Sequence, residues 1–257
     1  MKVVILAGGL GTRISEETSL VPKPMVEIGG KPILWHILSH YSHYGFNDFI
    51  ILLGYKGYII KEYFLNYYSH NSDLTINLSD NSTKIHSTTT VPWKVTLIDT
   101  GLHTMTGGRL KQVESYLKDS PFMLTYGDGL TDLNISQLVK FHKHHNKSAT
   151  VTSVQPLGRF GVMDINEDSQ VTQFIEKPVT QGTGINGGFF VFNPSIFKYL
   201  IDDTTVLEQD PLEQLAKENE LMAFKHTGFW KCMDTLRDKH ALQEMWDLNQ
   251  APWVVPN

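Results

Sequence analysis

Residues Leu6 to Pro24 read LAGGLGTRISEETSLVPKP, and they continue the apolar run Val3-Val4-Ile5. The run predicts a short buried strand, and Ala7-Gly8-Gly9-Leu10-Gly11-Thr12-Arg13 predicts a glycine-rich turn at its end. Glycines lack a Cβ, so backbone N–H groups there can come close to a ligand and converge on one spot as an anion nest. Arg13 adds a forked cation suited to phosphate oxygens. Lys23 adds a compact cation between Pro22 and Pro24, where the backbone is stiff. Together these features predict a polyphosphate site. Two widespread phosphate loops do not fit. The P-loop ends in Lys-Ser/Thr where this chain has Thr12-Arg13, and the dinucleotide fingerprint needs a third glycine where Ile14 stands.

Outward from this stretch, the first seventy residues alternate between strand and helix patterns. Ile33, Leu34, Ile37, Leu38 and Tyr41 recur at helical spacing, Phe49 to Leu53 reads as a strand, and Tyr58 to Tyr67 as an amphipathic helix. Such alternation implies parallel strands joined by right-handed crossovers, with ligands bound at the carboxyl ends of the strands. Further strands are predicted at Val95 to Ile98, Phe122 to Tyr126, Ala149 to Val154 and Phe189 to Phe192. Phe160 to Ile165 and Val171 to Ile175 are predicted to pair across Asn166 to Ser169. Helices are expected over Leu110 to Leu117, Asn134 to His145, from Pro211 to Glu220, and Leu236 to Trp246, with Asp99 to Arg109 as a second glycine loop. The expected fold is α/β: a mostly parallel, Rossmann-like open sheet flanked by helices, with a smaller antiparallel substrate-binding elaboration. No linker or repeat divides residues 1–257, so one domain is expected. Residues 66–90 are rich in Ser, Thr, Asn and Asp; they read as a surface excursion with one weak hairpin, or as a mobile flap or oligomer contact. His142, His144 and His145 lack a carboxylate at ligand spacing and read as a solvated helix end.

The net charge of -5 argues against a general nucleic-acid or anionic-membrane surface. A single cysteine, Cys232, excludes an intrachain disulfide. With no apolar run of about 18 residues and no secretory leader before Val3, a cytoplasmic protein is expected. Asp128 lies between two glycines at a strand end, where an isolated Asp is usually a turn residue. Beside a polyphosphate loop it reads instead as a hard oxygen ligand for Mg²⁺, with Asp234 the natural second carboxylate.

Gly8-Gly9-Leu10-Gly11-Thr12-Arg13 and Pro22-Lys23-Pro24-Met25 together resemble the GGxGTR and PKPM signature of the sugar nucleotidyltransferases (NDP-sugar pyrophosphorylases). Further segments follow in the family's order. Arg159-Phe160-Gly161-Val162, Glu176-Lys177-Pro178, Asn186-Gly187-Gly188-Phe189-Phe190 and Gly228-Phe229-Trp230-Lys231-Cys232-Met233-Asp234 are each similar to one of its motifs. Lys231-Cys232 lengthens the last relative to the commonest pattern.

The resemblance implies that Leu6, Ala7, Gly8, Gly9, Gly11, Thr12, Arg13, Lys23 and Asp128 bind the nucleotide. It also implies catalytic roles for Arg13, Lys23 and Lys177, and a Mg²⁺ held by Asp128 and Asp234. Gly161, Glu176, Lys177 and Asn186 would bind the sugar phosphate. The segment Thr104-Met105-Thr106-Gly107-Gly108-Arg109 is similar to that of members using CTP with glucose 1-phosphate, which would place Thr104 and Arg109 near the cytidine or its phosphates. Residues 1–130 would then be mainly nucleotide-binding and 131–257 mainly sugar-binding. A homo-oligomer and a role in dideoxyhexose synthesis for bacterial surface polysaccharide are further implications. Thymidylyl or uridylyl transfer is the alternative within the family. A non-catalytic sugar-nucleotide-binding protein is the alternative outside it, disfavoured because Arg13, Lys23, Asp128, Lys177 and Asp234 are all present.

Overall fold

In the computed structural model, residues 1–155, 162–165, 170–175 and 184–254 are described, the side chains of 162–165 and 174–175 excepted. Strand β1, Val3–Ala7, is buried throughout and lies inside a seven-stranded sheet. The other members are β2 (Asp48–Leu53), β3 (Lys94–Asp99), β4 (Phe122–Tyr126), β5 (Ala149–Val154), β6 (Ile185–Phe192) and β7 (Leu221–His226). Their order is β7-β5-β6-β4-β1-β2-β3. Strands β4, β1, β2 and β3 run parallel, as do β5 and β7, while β6 pairs antiparallel with both β4 and β5. The mostly parallel sheet is the one expected from the sequence; within it, one reversed strand joins the two halves.

The period-2 geometry of β1 explains its unbroken apolar run, because both faces are covered. Val3, Ile5 and Ala7 point into one core with helices α1 (Ile33–His43) and α2 (Gly57–Leu65). Val4 and Leu6 point into the other with α3 (Thr106–Gln112) and Phe197. Helices α4 (Ile135–His145), α5 (Asp210–Lys217) and α6 (Leu236–Asp247) complete the two layers. Asn134 caps α4 by accepting from Gln137 N at 2.9 Å, and Thr235 caps α6 in a reciprocal capping box with Asp238.

The segments 162–165 and 171–175 pair antiparallel as expected, and the polar excursion forms an exposed hairpin of 72–77 against 82–88. Three features differ from the sequence reading. First, Thr106 to Arg109 opens α3 and is not loop. Gly108 is needed there for close approach: a Cβ would sit 2.5 Å from Asp203 Cα. Second, β7 is a strand that the pattern did not mark. Third, His142 is 2 % exposed and bonded to Thr150 and Asn193, so it is a core residue and not part of a solvated helix end. No helix among the described residues is long and apolar enough to cross a membrane.

Candidate active site

The site is assembled by a short ribbon. Directly after β4, residues Gly129–Thr131 pair antiparallel with Trp230–Cys232. Met233 N donates to Asp128 O at 2.9 Å, and this register brings Asp234 beside Asp128. The turn is fixed to β1 by Gly127 N donating to Leu6 O at 3.0 Å. Pro24 packs against that same Gly127, so the Pro22-Lys23-Pro24 segment meets the carboxylates.

Lys23 is 8 % exposed and its Nζ lies between the two acids, 2.5 Å from Asp128 Oδ2 and 2.7 Å from Asp234 Oδ1. Burial alone would pull its pKa down, but the charges and hydrogen bonds of Asp128, Asp234 and nearby Cys232 outweigh this and hold it above the ordinary lysine value. Arg13 completes the cluster with Nη1 2.7 Å from Asp234 Oδ2, its side chain 72 % exposed. Burial opposes ionisation of Asp234, yet Lys23 and Arg13 leave its pKa below the usual carboxylate range. Carboxylate oxygens of Asp128 and Asp234 and the Cys232 sulfur lie within 4.8 Å of one another. Cys232 is the neighbour that the sequence reading passed over. Burial first, and then Asp128, push its thiol pKa up.

Thus Arg13, Lys23, Asp128 and Asp234 converge; Leu6 and Ala7 end β1 beside them, and Gly8, Gly9, Gly11 and Thr12 lie on the segment that leaves it. Arg109 does something else. It is 5 % exposed, and its Nη1 donates to Leu53 O at 2.9 Å, Thr100 Oγ1 at 2.6 Å and Gly101 O at 2.8 Å. Its Nη2 donates to Gly8 O at 3.2 Å and Leu102 O at 3.3 Å. The guanidinium therefore ties the glycine loop, the end of β2 and the loop after β3 together, and these protein acceptors take up both of its terminal nitrogens. Thr104, half-buried, sits on that last loop beside Gly101.

Asn186, the second residue of β6, is exposed and donates to Tyr126 OH at 3.2 Å. Trp230 Nε1 donates to Gly187 O at 2.7 Å, which joins the ribbon to the start of β6. Gly161, Glu176 and Lys177 lie outside the described residues.

A parallel sheet with a glycine loop at the end of β1, and paired carboxylates after a neighbouring strand, is the arrangement of an enzyme that works on nucleotide phosphates. The chain belongs to the nucleotidyl transferase family, whose family model matches residues 2–238. Over 254 residues it is 58% identical to glucose-1-phosphate cytidylyltransferase of Salmonella typhi, covering 98% of each chain. It is 46% identical to the Bacillus subtilis protein named probable glucose-1-phosphate cytidylyltransferase, covering 99% of this chain and 100% of that one. Among solved structures, HddC from Yersinia pseudotuberculosis, complexed with GMP-PN, superposes with a TM-score of 0.67 at 27% identity, covering 95% of this chain and 99% of that one.

Proposed function

We propose that this chain transfers the cytidylyl group of CTP to α-D-glucose 1-phosphate, giving CDP-glucose and diphosphate. The observation that carries this reading is Lys23 wedged between Asp128 and Asp234 beside the loop leaving β1, in a chain 58% identical over nearly its whole length to a cytidylyltransferase of glucose 1-phosphate.

The reaction needs little covalent help. A sugar 1-phosphate has a second pKa of about 6, so its oxygen is already an anion near neutral pH and needs no general base. That oxygen attacks the α-phosphorus of CTP, the bond from that phosphorus to the bridging oxygen breaks, and diphosphate leaves. The barrier is the meeting of two anions in line, so positioning and fixed positive charge supply the catalysis. Lys23 holds the α-phosphate region, while Arg13 and the N–H groups of Gly8, Gly9 and Gly11 hold the departing diphosphate. Lys177 and Glu176 hold the sugar phosphate and the hexose, a role carried over from the motif resemblance alone.

Asp128 and Asp234 are the residues that would hold Mg²⁺, which when bound supplies charge stabilisation to the phosphates. The donor set fits. Two hard carboxylates face one point, and a cation, the Lys23 ammonium, already bridges them. The same reading makes residues 1–130 the nucleotide half and 131–257 the sugar half of one domain. It also makes the protein a cytoplasmic homo-oligomer whose product serves dideoxyhexose synthesis for surface polysaccharide.

The test is diphosphate release with glucose 1-phosphate, Mg²⁺ and each of CTP, UTP, dTTP and ATP. Cytosine offers an amino donor where uracil and thymine offer a carbonyl, so a dry pocket should favour CTP by on the order of 10² or more in kcat/KM. Equal rates with UTP or dTTP would overturn the base assignment, and no release with any triphosphate would overturn the reaction.

A further inference from the structure

A continuous hydrogen-bond chain runs from the first turn of α3 to the first turn-out of β6, and Glu208 is at its centre. Glu208 Oε2 accepts from Thr106 Oγ1 at 2.6 Å, and its Oε1 accepts from Tyr126 OH at 2.5 Å. Tyr126 OH in turn accepts from Asn186 Nδ2 at 3.2 Å, and Asn186 Oδ1 accepts from Gly188 N at 2.8 Å. Leu207 N donates to Thr106 Oγ1 at 2.9 Å, which fixes the other end.

The direction of every bond in this chain is forced. A carboxylate has only acceptors, so both hydroxyls that touch Glu208 must donate to it. Each hydroxyl has one hydrogen. Once spent, the oxygen can only accept, and Thr106 does so from Leu207 N while Tyr126 does so from Asn186. Gly188 N–H can only donate, so it fixes the amide oxygen of Asn186 from the other side. The amide is therefore held in one flip by two independent partners. Tyr126 is held as firmly: Gly188 has φ +79, a conformation that side chains rarely adopt, and a Cβ there would stand 2.5 Å from the Tyr126 ring. The ring also meets Phe190 edge-on, with centroids 6.0 Å apart. What Asn186 has left, among the described residues, is its second N–H and the second lone pair of Oδ1, on an exposed residue.

We propose that Glu208 is a positioning residue for the hexose: acting through Tyr126, it holds Asn186 with a free N–H presented to the sugar, which donates to one of the sugar's oxygens. This inference rests on the proposed function, which puts Asn186 against the hexose. It assigns the polarity of that contact and names the residue that sets it.

Glu208→Met keeps the length of the side chain and removes both acceptors, so neither hydroxyl is held, and the Tyr126 hydrogen is freed to turn toward Asn186, where it competes with the amide N–H. Tyr126→Phe removes the relay while keeping the ring, and it serves where the methionine variant folds poorly. Both variants should raise KM for glucose 1-phosphate about three- to tenfold, the value of one neutral hydrogen bond, while KM for CTP changes less than about twofold. The decisive readout is a panel of monodeoxy and deoxyfluoro glucose 1-phosphates. With the wild type, one deoxy position should lose affinity and its fluoro analogue, which accepts but cannot donate, should recover part of it. In both variants that position-specific loss should vanish. A variant that shifts both KM values alike, or that keeps the deoxy profile of the wild type, overturns the proposal. A wild type that releases no diphosphate overturns the reading of function beneath it, so the two failures are distinct.

Discussion

Replacing Arg109 by Met separates a structural cation from a ligand-binding one. The resemblance to CTP-using members would have the guanidinium reach the nucleotide, whereas the structure has it donating to five protein acceptors at 5 % exposure. Those bonds are not equally irreplaceable. Gly8 O also takes Tyr55 N at 3.2 Å, and Leu53 O also takes Thr100 N at 3.0 Å. Gly101 and Leu102 are exposed, so water can serve their carbonyls. The net loss is then about two charge-assisted bonds and the anchoring of two loops, or about 3–6 kcal/mol at about 1.5–3 kcal/mol per bond. For a chain of this size about 1 kcal/mol moves Tm by about 2–4 °C, so Arg109→Met should unfold about 6–24 °C below the wild type in a thermal scan followed by far-UV circular dichroism. Arg109→Lys should fall between, because an ammonium cannot span the fork. A Met variant that melts within about 2 °C of the wild type while losing CTP affinity would refute the structural role and restore Arg109 to the nucleotide.

Other perturbations address the core, the candidate metal site and a helix end. His40 donates from Nε2 to Leu133 O at 2.8 Å, its Nδ1 has no partner among the described residues, and burial pulls its pKa to about 4. An unfolded imidazole takes a proton near pH 6.5 and the folded one refuses it until about 4, so stability should fall by as much as about 3 kcal/mol as pH drops through that window; His40→Gln should flatten the slope in urea midpoints taken against pH. Asp128→Asn should cut Mg²⁺-dependent diphosphate release by about two orders of magnitude or more with Tm little changed, since several kcal/mol of charge stabilisation are withdrawn. Near-normal turnover there would reject the metal role. Thr235→Ala removes the α6 cap, whose Oγ1 accepts from Asp238 N at 3.3 Å, and should cost about 1 kcal/mol, a loss that Thr235→Ser mostly avoids.

What the sequence made legible was whatever is encoded locally. The run at Val3 to Leu6, the glycines after it and the proline-flanked Lys23 each carry a short-range signal with a physical cause. The meeting of Asp128 with Asp234 carries no such local cause in the sequence, and the resemblance of the segment Gly228 to Asp234 to a family motif is what points to it. It is produced by a ribbon of three residues on each side, Gly129–Thr131 and Trp230–Cys232, too short for an alternating pattern to register. In Leu221 to His226 the strand is written without a single β-branched residue, and it forms because β5 offers it an edge. Gly107 and Gly108 argue for loop by propensity, and the close packing of residues 203–205 against α3 overrides that. The partners of Arg109 are mostly backbone carbonyls, which every residue has, so no residue pattern announces them. Its burial is the only clue, and burial is a property of the folded chain.

The charge pattern of the site explains how it can be stable before any substrate arrives. Two carboxylates side by side and partly buried would repel each other and be costly to desolvate. Lys23 and Arg13 offset that, and the four groups form a formally neutral cluster. On the proposed function, each member has a matching partner in the substrate complex. The carboxylates can trade an ammonium for a divalent cation, and Lys23 can trade carboxylate oxygens for phosphate oxygens. No buried charge need be left alone at either end of the exchange. The trade works only if both partners come together: a cation without the triphosphate would turn Lys23 out with nothing to pair it, and the triphosphate without the cation would bring its own charge against two uncompensated carboxylates. The placement of Lys23 between the acids is therefore a physical reason for nucleotide and cation to bind as one unit.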